Sequence, residues 1–374
     1  MSLGINQILD AVKITQKHQK KRGSWTDLTS DVQRYTVAKQ LLNKKRAKEH
    51  AGNSIQFEAM KSDSGSARVV DMVENQTYEH GDHMLVGEVP WRHVSNYWSV
   101  IKRMIAMNSG PEGIVNYVAV QKAASKISEI MLYERLFWGR AESSDDTKTP
   151  YGLFNYLVPD NTNADTSYTS GNRGFYGGNP SGFASGIAGI NSSTWERYKN
   201  FTLEYRSISR GEIDPATGVY DGGLIYGLRD AYEEMQFESP IDHPDTNTGD
   251  DYGLYTKKDV GLALASALEN QNDNLGNDIA SKDGKVIFRG IPLTTVPYLS
   301  NKESTAEWWQ TTDPIFLINW GALQFHFLKG YFMNESEARD SPLNSGLVVA
   351  DIETTMNLVC TDRRCLGVAK KADS

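Results

Sequence analysis

The stretch from Pro111 to Trp138 constrains this chain more than any other. Proline suits the first turn of a helix, where its missing N–H would have no partner anyway. From residue 114 to 138 neither proline nor glycine interrupts the run. The spacing predicts one helix of about 27 residues, a rod of roughly 40 Å at 1.5 Å per residue. Val120, Ala123, Ala124, Ile127, Ile130, Met131, Phe137 and Trp138 are its expected apolar face, and Glu129, Glu134 and Glu142 are expected as surface charge. A rod of that length is a spine around which the rest of the chain must be organised.

The 374 residues carry 39 Lys+Arg against 47 Asp+Glu, a net charge of −8. That balance argues against a surface built throughout for nucleic acid. It also hides an asymmetry. Residues 1–50 hold 11 basic and 4 acidic residues, while the remainder holds 28 and 43. Within the basic head, Ile5, Ile8, Leu9 and Val12 have helical spacing and lead to Lys17, Lys20, Lys21 and Arg22, with Gly23 as a stop. A second helical pattern through Leu28, Val32, Tyr35, Ala38 and Leu42 ends in Lys44, Lys45 and Arg46. Each helix offers one narrow apolar stripe and basic residues near its C-terminal end, where the helix dipole favours cations. Neither can form a core alone, so residues 1–52 read as an arm that must lie on something else. The basic clusters fit equally a contact with nucleic acid or scaffold and a solvated helix face.

Residues 54–60 change period. Ile55, Phe57 and Ala59 alternate with Gln56, Glu58 and Met60, the pattern of a strand with one buried face. The turn-rich run Lys61–Ala67 and a returning strand from Arg68 to Val73 complete an expected hairpin. A lone hairpin is marginal in water, so this one too requires a partner. Residues 84–105 are rich in β-branched and aromatic side chains. Residues 141–280 are acidic, 22 against 9. Inside them the Gly-rich run 171–190 reads as a long surface loop, and Thr256–Asn270 reads as a helix. Strands dominate the C-terminal third, including Ile315–Asn319 and the alternating stretch 347–368.

Little in the sequence points to catalysis. There is no Walker A, dinucleotide fingerprint, HExxH or GxSxG motif. Cys360 and Cys365 cannot supply four metal ligands and read as two reduced thiols on or near a strand. His80-Gly81-Asp82-His83 and the acidic run Asp242–Asp251 lack the spacing of a metal site and read as surface loops. The expectation is no enzyme, no cofactor and no metal. The first residues, Met1–Gln7, lack a charged start followed by an apolar run, and no apolar stretch approaches the roughly 18–20 residues of a membrane span. A soluble protein in a reducing compartment, with no membrane partner, is therefore expected.

The order of parts resembles the major capsid protein of tailed bacteriophages, the Hong Kong 97-type fold. The likeness is carried by the arm and hairpin, the spine helix Pro111–Trp138, and Gly152-Leu153-Phe154-Asn155 just after it. Further along, Asn274–Pro297 contains a Gly-x-Pro return, Asp313–Ala322 resembles the strand and turn that follow it, and 349–369 closes with paired basic residues. The resemblance implies an α+β chain with five parts. These are an N-terminal arm (1–52), an extended loop or β-hairpin (53–87), a peripheral domain with the spine helix (88–155), an axial domain with insertions (156–312), and a return to the peripheral domain with closing strands (313–374).

It also implies a function: self-assembly through hexamers and pentamers into the icosahedral shell of a virion, built in the host bacterial cytoplasm. The implied partners are other copies of the chain, a portal protein, packaged double-stranded DNA bound without sequence specificity, and a separate scaffolding protein, since only about 50 residues precede the hairpin. Candidate inter-subunit contacts are Lys20, Lys21, Arg22, Lys44, Lys45, Arg46, Ile55, Phe57, Lys61 and Arg68. Some members of the family crosslink a hairpin lysine to a neighbour's asparagine. Lys61, Asn334, Asn344 and Asn357 are placed for comparison, but no motif identifies such a pair. The alternative is a soluble hydrolase or lyase with its site in residues 141–280.

Overall fold

The structure, a computed structural model, describes residues 37, 47–71, 81–107, 111–159, 173–209, 222–237, 251–272, 286–300 and 308–371. Four strands precede the spine helix: β1 (Ala47–His50), β2 (Ser54–Met60), β3 (Met84–Pro90) and β4 (Arg92–Ile101). The spine runs Pro111–Phe137, within one residue of the predicted end. Next come β5 (Arg173–Gly177), β6 (Asn200–Tyr205), the helix Leu224–Glu234, β7 (Tyr252–Thr256), the helix Lys258–Asn272, β8 (Ile287–Phe288) and β9 (Ile291–Thr295). The chain closes with β10 (Ile315–Asn319), β11 (Leu323–Leu328), β12 (Asn334–Glu335), β13 (Arg339–Asp340), β14 (Leu347–Cys360) and β15 (Leu366–Lys371).

Among the described residues these strands make two large sheets and one hairpin, an α+β architecture. β14 is the axis of the first sheet. Its 14 residues extend roughly 45 Å at about 3.3 Å each, close to the length of the spine helix. One edge of β14 pairs antiparallel with β4 from Leu347 to Met356. The other edge is shared in turn by β13, β12 and β11, and β1 lies parallel on the far side of β11. The second sheet has the order β5-β6-β15-β10-β7-β9-β8. The helix Leu224–Glu234 covers it with Leu224, Leu228 and Ala231, one stripe at helical spacing.

The closing segment 313–374 is shared between the sheets. β10 lies in the second sheet and β11–β14 in the first. The single turn Arg363–Cys365 then carries the chain back to β15 in the second. Two crossings at one place join the sheets. The largest apolar cluster is built there from Trp138, Phe154, Phe316, Trp320, Leu358 and Leu366. Arg363 sits in the same junction, fully buried. Its guanidinium donates to the carbonyls of Tyr156, Gly177, Gly178 and Tyr198 and to Asn200 Oδ1, all between 2.8 and 3.2 Å. Burial of a charge is tolerated when hydrogen bonds take up its donors, and here they tie three separate segments to one side chain. Cys360 and Cys365 are buried thiols at this junction, not joined in a disulfide.

Two sequence expectations are overturned. The Gly-rich run is not a surface loop. β5 occupies 173–177, and Phe183, Ile187, Ala188 and Ile190 are core residues. Gly177, Gly182 and Gly186 serve close packing: a Cβ on Gly182, at φ +84°, would lie 2.1 Å from the Glu142 carbonyl oxygen. The spine helix buries Phe137 and Trp138 as expected, but before them it buries a different face. Val120 and Ala124 are exposed, and Ile127, Ile130 and Met131 are half-buried. Val118, Ser125, Glu129 and Tyr133 instead face the first sheet. Val118 packs on Trp98, Val100, Val348, Ala350 and Ile352, while the Asn96 amide on β4 donates to the Ser125 carbonyl and Ser125 Oγ donates to the Tyr97 carbonyl.

Candidate assembly surfaces

The hairpin is a two-stranded ribbon that exposes apolar side chains at its outer end. Its first strand is β2, as predicted. The returning strand is not Arg68–Val73 but β3, in the register Ser54↔Pro90 to Met60↔Met84. Residues 61–71, Arg68 included, have no regular structure. The reason is packing: β3 presents Leu85, Gly87 and Val89 opposite Ala59, Phe57 and Ile55, so both strands bury the same face. Phe57 lies across Gly87, where a Cβ would come within 2.3 Å of its ring. Glu88 N–H donates to the Ala188 carbonyl at 2.9 Å, which ties β3 to the Gly-rich run.

The two ends of the hairpin differ. At its base Ile55 and Val89 are fully buried in the subunit's own core, with Phe57 and Leu85 packed against it. At its outer end the opposite face is apolar and open. Met60 is 79 % exposed, and Met84 and Val86 are 54 % and 51 % exposed. Met60 and Met84 stand directly opposite each other. Val69 and Val70, in the connecting segment, are also exposed. An apolar cluster on an extended ribbon is the kind of surface that another chain covers.

Lys61, at the end of β2, is engaged within its own subunit. Its ammonium pairs with Asp82 at 2.8 Å and stands 5.3 Å from the centre of the Trp195 ring. The hydrogen bond from Lys61 holds the Asp82 carboxyl below the usual carboxylate range. His83 Nδ1 lies 3.0 Å from Ser62 Oγ. Among the described residues no group of three or more His, Cys, Asp and Glu side chains could hold a metal ion, and no helix is long and apolar enough to cross a membrane. His80 and the acidic run 242–250 lie outside the described residues. So do the predicted arm helices, apart from Val37, and with them Lys20, Lys21, Arg22, Lys44, Lys45 and Arg46. Asn357 is fully buried: its amide donates to the Pro90 carbonyl at 2.7 Å, and its Oδ1 accepts from Tyr151 N–H at 2.8 Å.

The spine carboxylates correct another expectation. Glu129 and Glu134 are not surface charges; they are 2 % and 1 % exposed. Glu129 Oε1 accepts from the Tyr133 hydroxyl and, at 2.9 Å, from Thr354 Oγ1 on β14. Burial, and then the hydrogen bond to Glu129, raise the Tyr133 hydroxyl well above the ordinary tyrosine range. Glu134 accepts from the backbone of Val37, 97 residues away in sequence. Helical spacing gave no signal for Thr354 and Val37, because both come from remote segments. Alternation did hold a signal for the outer apolar face: Met84, Val86 and Glu88 alternate with Leu85, Gly87 and Val89.

No protein-family model and no curated protein matches the sequence. Solved structures do match. The capsid asymmetric unit of cyanophage A-1(L) superimposes with a TM-score of 0.56 at 13 % identity, covering 95 % of this chain and 97 % of the other. The capsid of a native GTA particle gives 0.50 at 10 % identity, covering 95 % and 96 %. At such identities the likeness speaks for the fold. The chain therefore has the α+β fold of these capsid chains, in line with the Hong Kong 97-type architecture that its sequence resembles.

Proposed function

We propose that this chain is the major capsid protein of a tailed phage, a structural subunit that self-assembles into the icosahedral shell around double-stranded DNA. The observation that carries this is the likeness to capsid chains over nearly the full length of both partners. The hairpin supports it, since its outer apolar face has no core of its own to bury. In that role the first sheet and the spine helix form the peripheral part. The second sheet, with β10 and β15 included, forms the axial part of hexamers and pentamers. The outer hairpin, with Met60, Met84 and Val86 near Lys61 and Arg68, lies on a neighbouring copy. A separate scaffolding protein directs closure, a portal protein occupies one vertex, and the packaged DNA is held without sequence specificity. Assembly takes place in the host bacterial cytoplasm, the product is the virion shell, and the chain carries no catalysis and no cofactor.

Negative-stain electron microscopy of the protein, made with and without its scaffolding partner, tests this directly. Closed shells or capsomer rings are expected. A strictly monomeric protein in both preparations, at high concentration, overturns the proposal.

A further inference from the structure

Glu134 lies in the last turns of the spine helix and is almost completely withdrawn from water. A carboxylate in such a place must have its oxygens hydrogen-bonded. The Trp138 indole N–H, one turn on, donates to Oε1 at 3.2 Å. The Val37 backbone N–H lies 3.1 Å from Oε2 and 3.3 Å from Oε1. The Val37 side chain is itself fully buried, in an apolar socket lined by Tyr133, Phe137, Tyr151, Phe325 and Met356. The socket keeps a free cavity of about 30 Å³ beside the valine. Two recognition elements thus converge on one residue of a segment that has no core of its own: a charged acceptor for its backbone and an apolar seat for its side chain.

We propose that Glu134 and this socket form a docking site for the chain's own N-terminal segment at Val37. The carboxylate is the receptor group, and the occupant is the arm of the same subunit. The site belongs to the subunit itself, so it stands whether or not the chain builds a shell. Its chemistry is selective in a simple way. Any residue but proline offers the N–H, so the charged contact fixes where the backbone sits. The apolar walls then accept a side chain of valine's size and reject a charged one. Removing the arm takes from Glu134 a donor shared by both oxygens and opens the socket to water. Docking of the basic arm is thereby coupled to the end of the spine helix, the element that spans the first sheet.

Amide hydrogen exchange on the full-length, unassembled subunit tests this, read by mass spectrometry on the peptide spanning Val37. In the unaltered chain that peptide is expected to exchange at least ten-fold more slowly than the free peptide. Glu134→Leu, which keeps the apolar bulk and removes the acceptor, is expected to abolish most of that protection. Val37→Asp changes neither Glu134 nor any wall of the socket and is expected to do the same, while peptides of the second sheet exchange as before. This second variant decides the matter if Glu134→Leu fails to fold. Free-peptide exchange in the unaltered chain overturns the proposal, as does unchanged protection in Val37→Asp. Protection that appears only after particles form also overturns it, because the occupant would then be a neighbour's arm.

Discussion

The hairpin and the first sheet are both antiparallel ladders, and they differ in what their faces meet. β4 and β14 pair over ten residues, with Trp98, Val100, Val348, Ala350 and Ile352 pressed against the spine helix. β2 and β3 pair over seven, but only the base of the ribbon reaches a core. Backbone hydrogen bonding is the same in kind in the two ladders. What separates them is that one ladder completes its burial within the subunit and the other stops halfway along. A ribbon that ends in Met60, Met84 and Val86 has stability in reserve for whatever covers it, roughly 25 cal/mol for each Å² of apolar surface removed from water.

Substitutions should divide along the same line. The largest loss is expected in the junction core. Phe154, buried and stacked on Trp309 with ring centres 4.1 Å apart, should cost about 3–5 kcal/mol as Phe154→Ala, read as a shift of the chemical-denaturation midpoint. Ile55→Ala tests whether the hairpin base belongs to the subunit. It should cost about 2–4 kcal/mol in the same measurement, and a loss below about 0.5 kcal/mol would show that the base is as free as the tip.

A third test concerns β1, the strand that leads from the arm into the hairpin. His326 on β11 is buried beside His50, their ring centres 5.8 Å apart, and stands in register with Lys48. Burial foremost, then the nearby His50 and Lys48, push its imidazole down to about 4. The unfolded chain takes up a proton near pH 6.5, and the folded chain does so only near 4. Stability is therefore fully present above pH 6.5 and falls as pH drops from 6.5 to 4, by up to about 3 kcal/mol. His326→Gln should flatten the pH dependence of the unfolding midpoint across that window. An unchanged slope would place the titration elsewhere.

The smallest expected effect on the subunit sharpens the comparison most. Met60→Asp, at the open end of the ribbon, should change subunit stability by no more than about 0.5 kcal/mol yet block particle formation in the electron microscope. If stability and assembly fell together, the outer hairpin would belong to the core after all. If neither changed, the apolar tip would not be an assembly contact.

Much of this was open to reading in advance. The spine helix follows from an uninterrupted run behind a proline, and β2 follows from its alternation. A head with two narrow stripes and no core requires something to lie on, and Val37 lies on the spine. The returning strand was misplaced because Arg68–Val73 and Met84–Pro90 both suit a strand. Only the chance to bury Leu85, Gly87 and Val89 beside Ile55 and Phe57 chooses between them. The Gly-rich run read as a loop because glycine signals turns as readily as close approach. The Glu142 carbonyl that comes so near Gly182 lies 40 residues earlier in the chain.

What the sequence determined by itself is therefore local: helix length, strand period, the sign of charge along the chain, and the order of elements that resembles a capsid subunit. What the tertiary structure decided is which faces are inside. Glu129 and Glu134 have the spacing of solvent-facing charges, yet both are buried because Thr354 and Val37, from remote segments, add donors to those that Tyr133 and Trp138 supply one turn along the helix. Periodicity records which residues share a face. It cannot say whether a polar residue on that face will find enough partners to be buried, because the deciding ones are brought by segments dozens or hundreds of residues away.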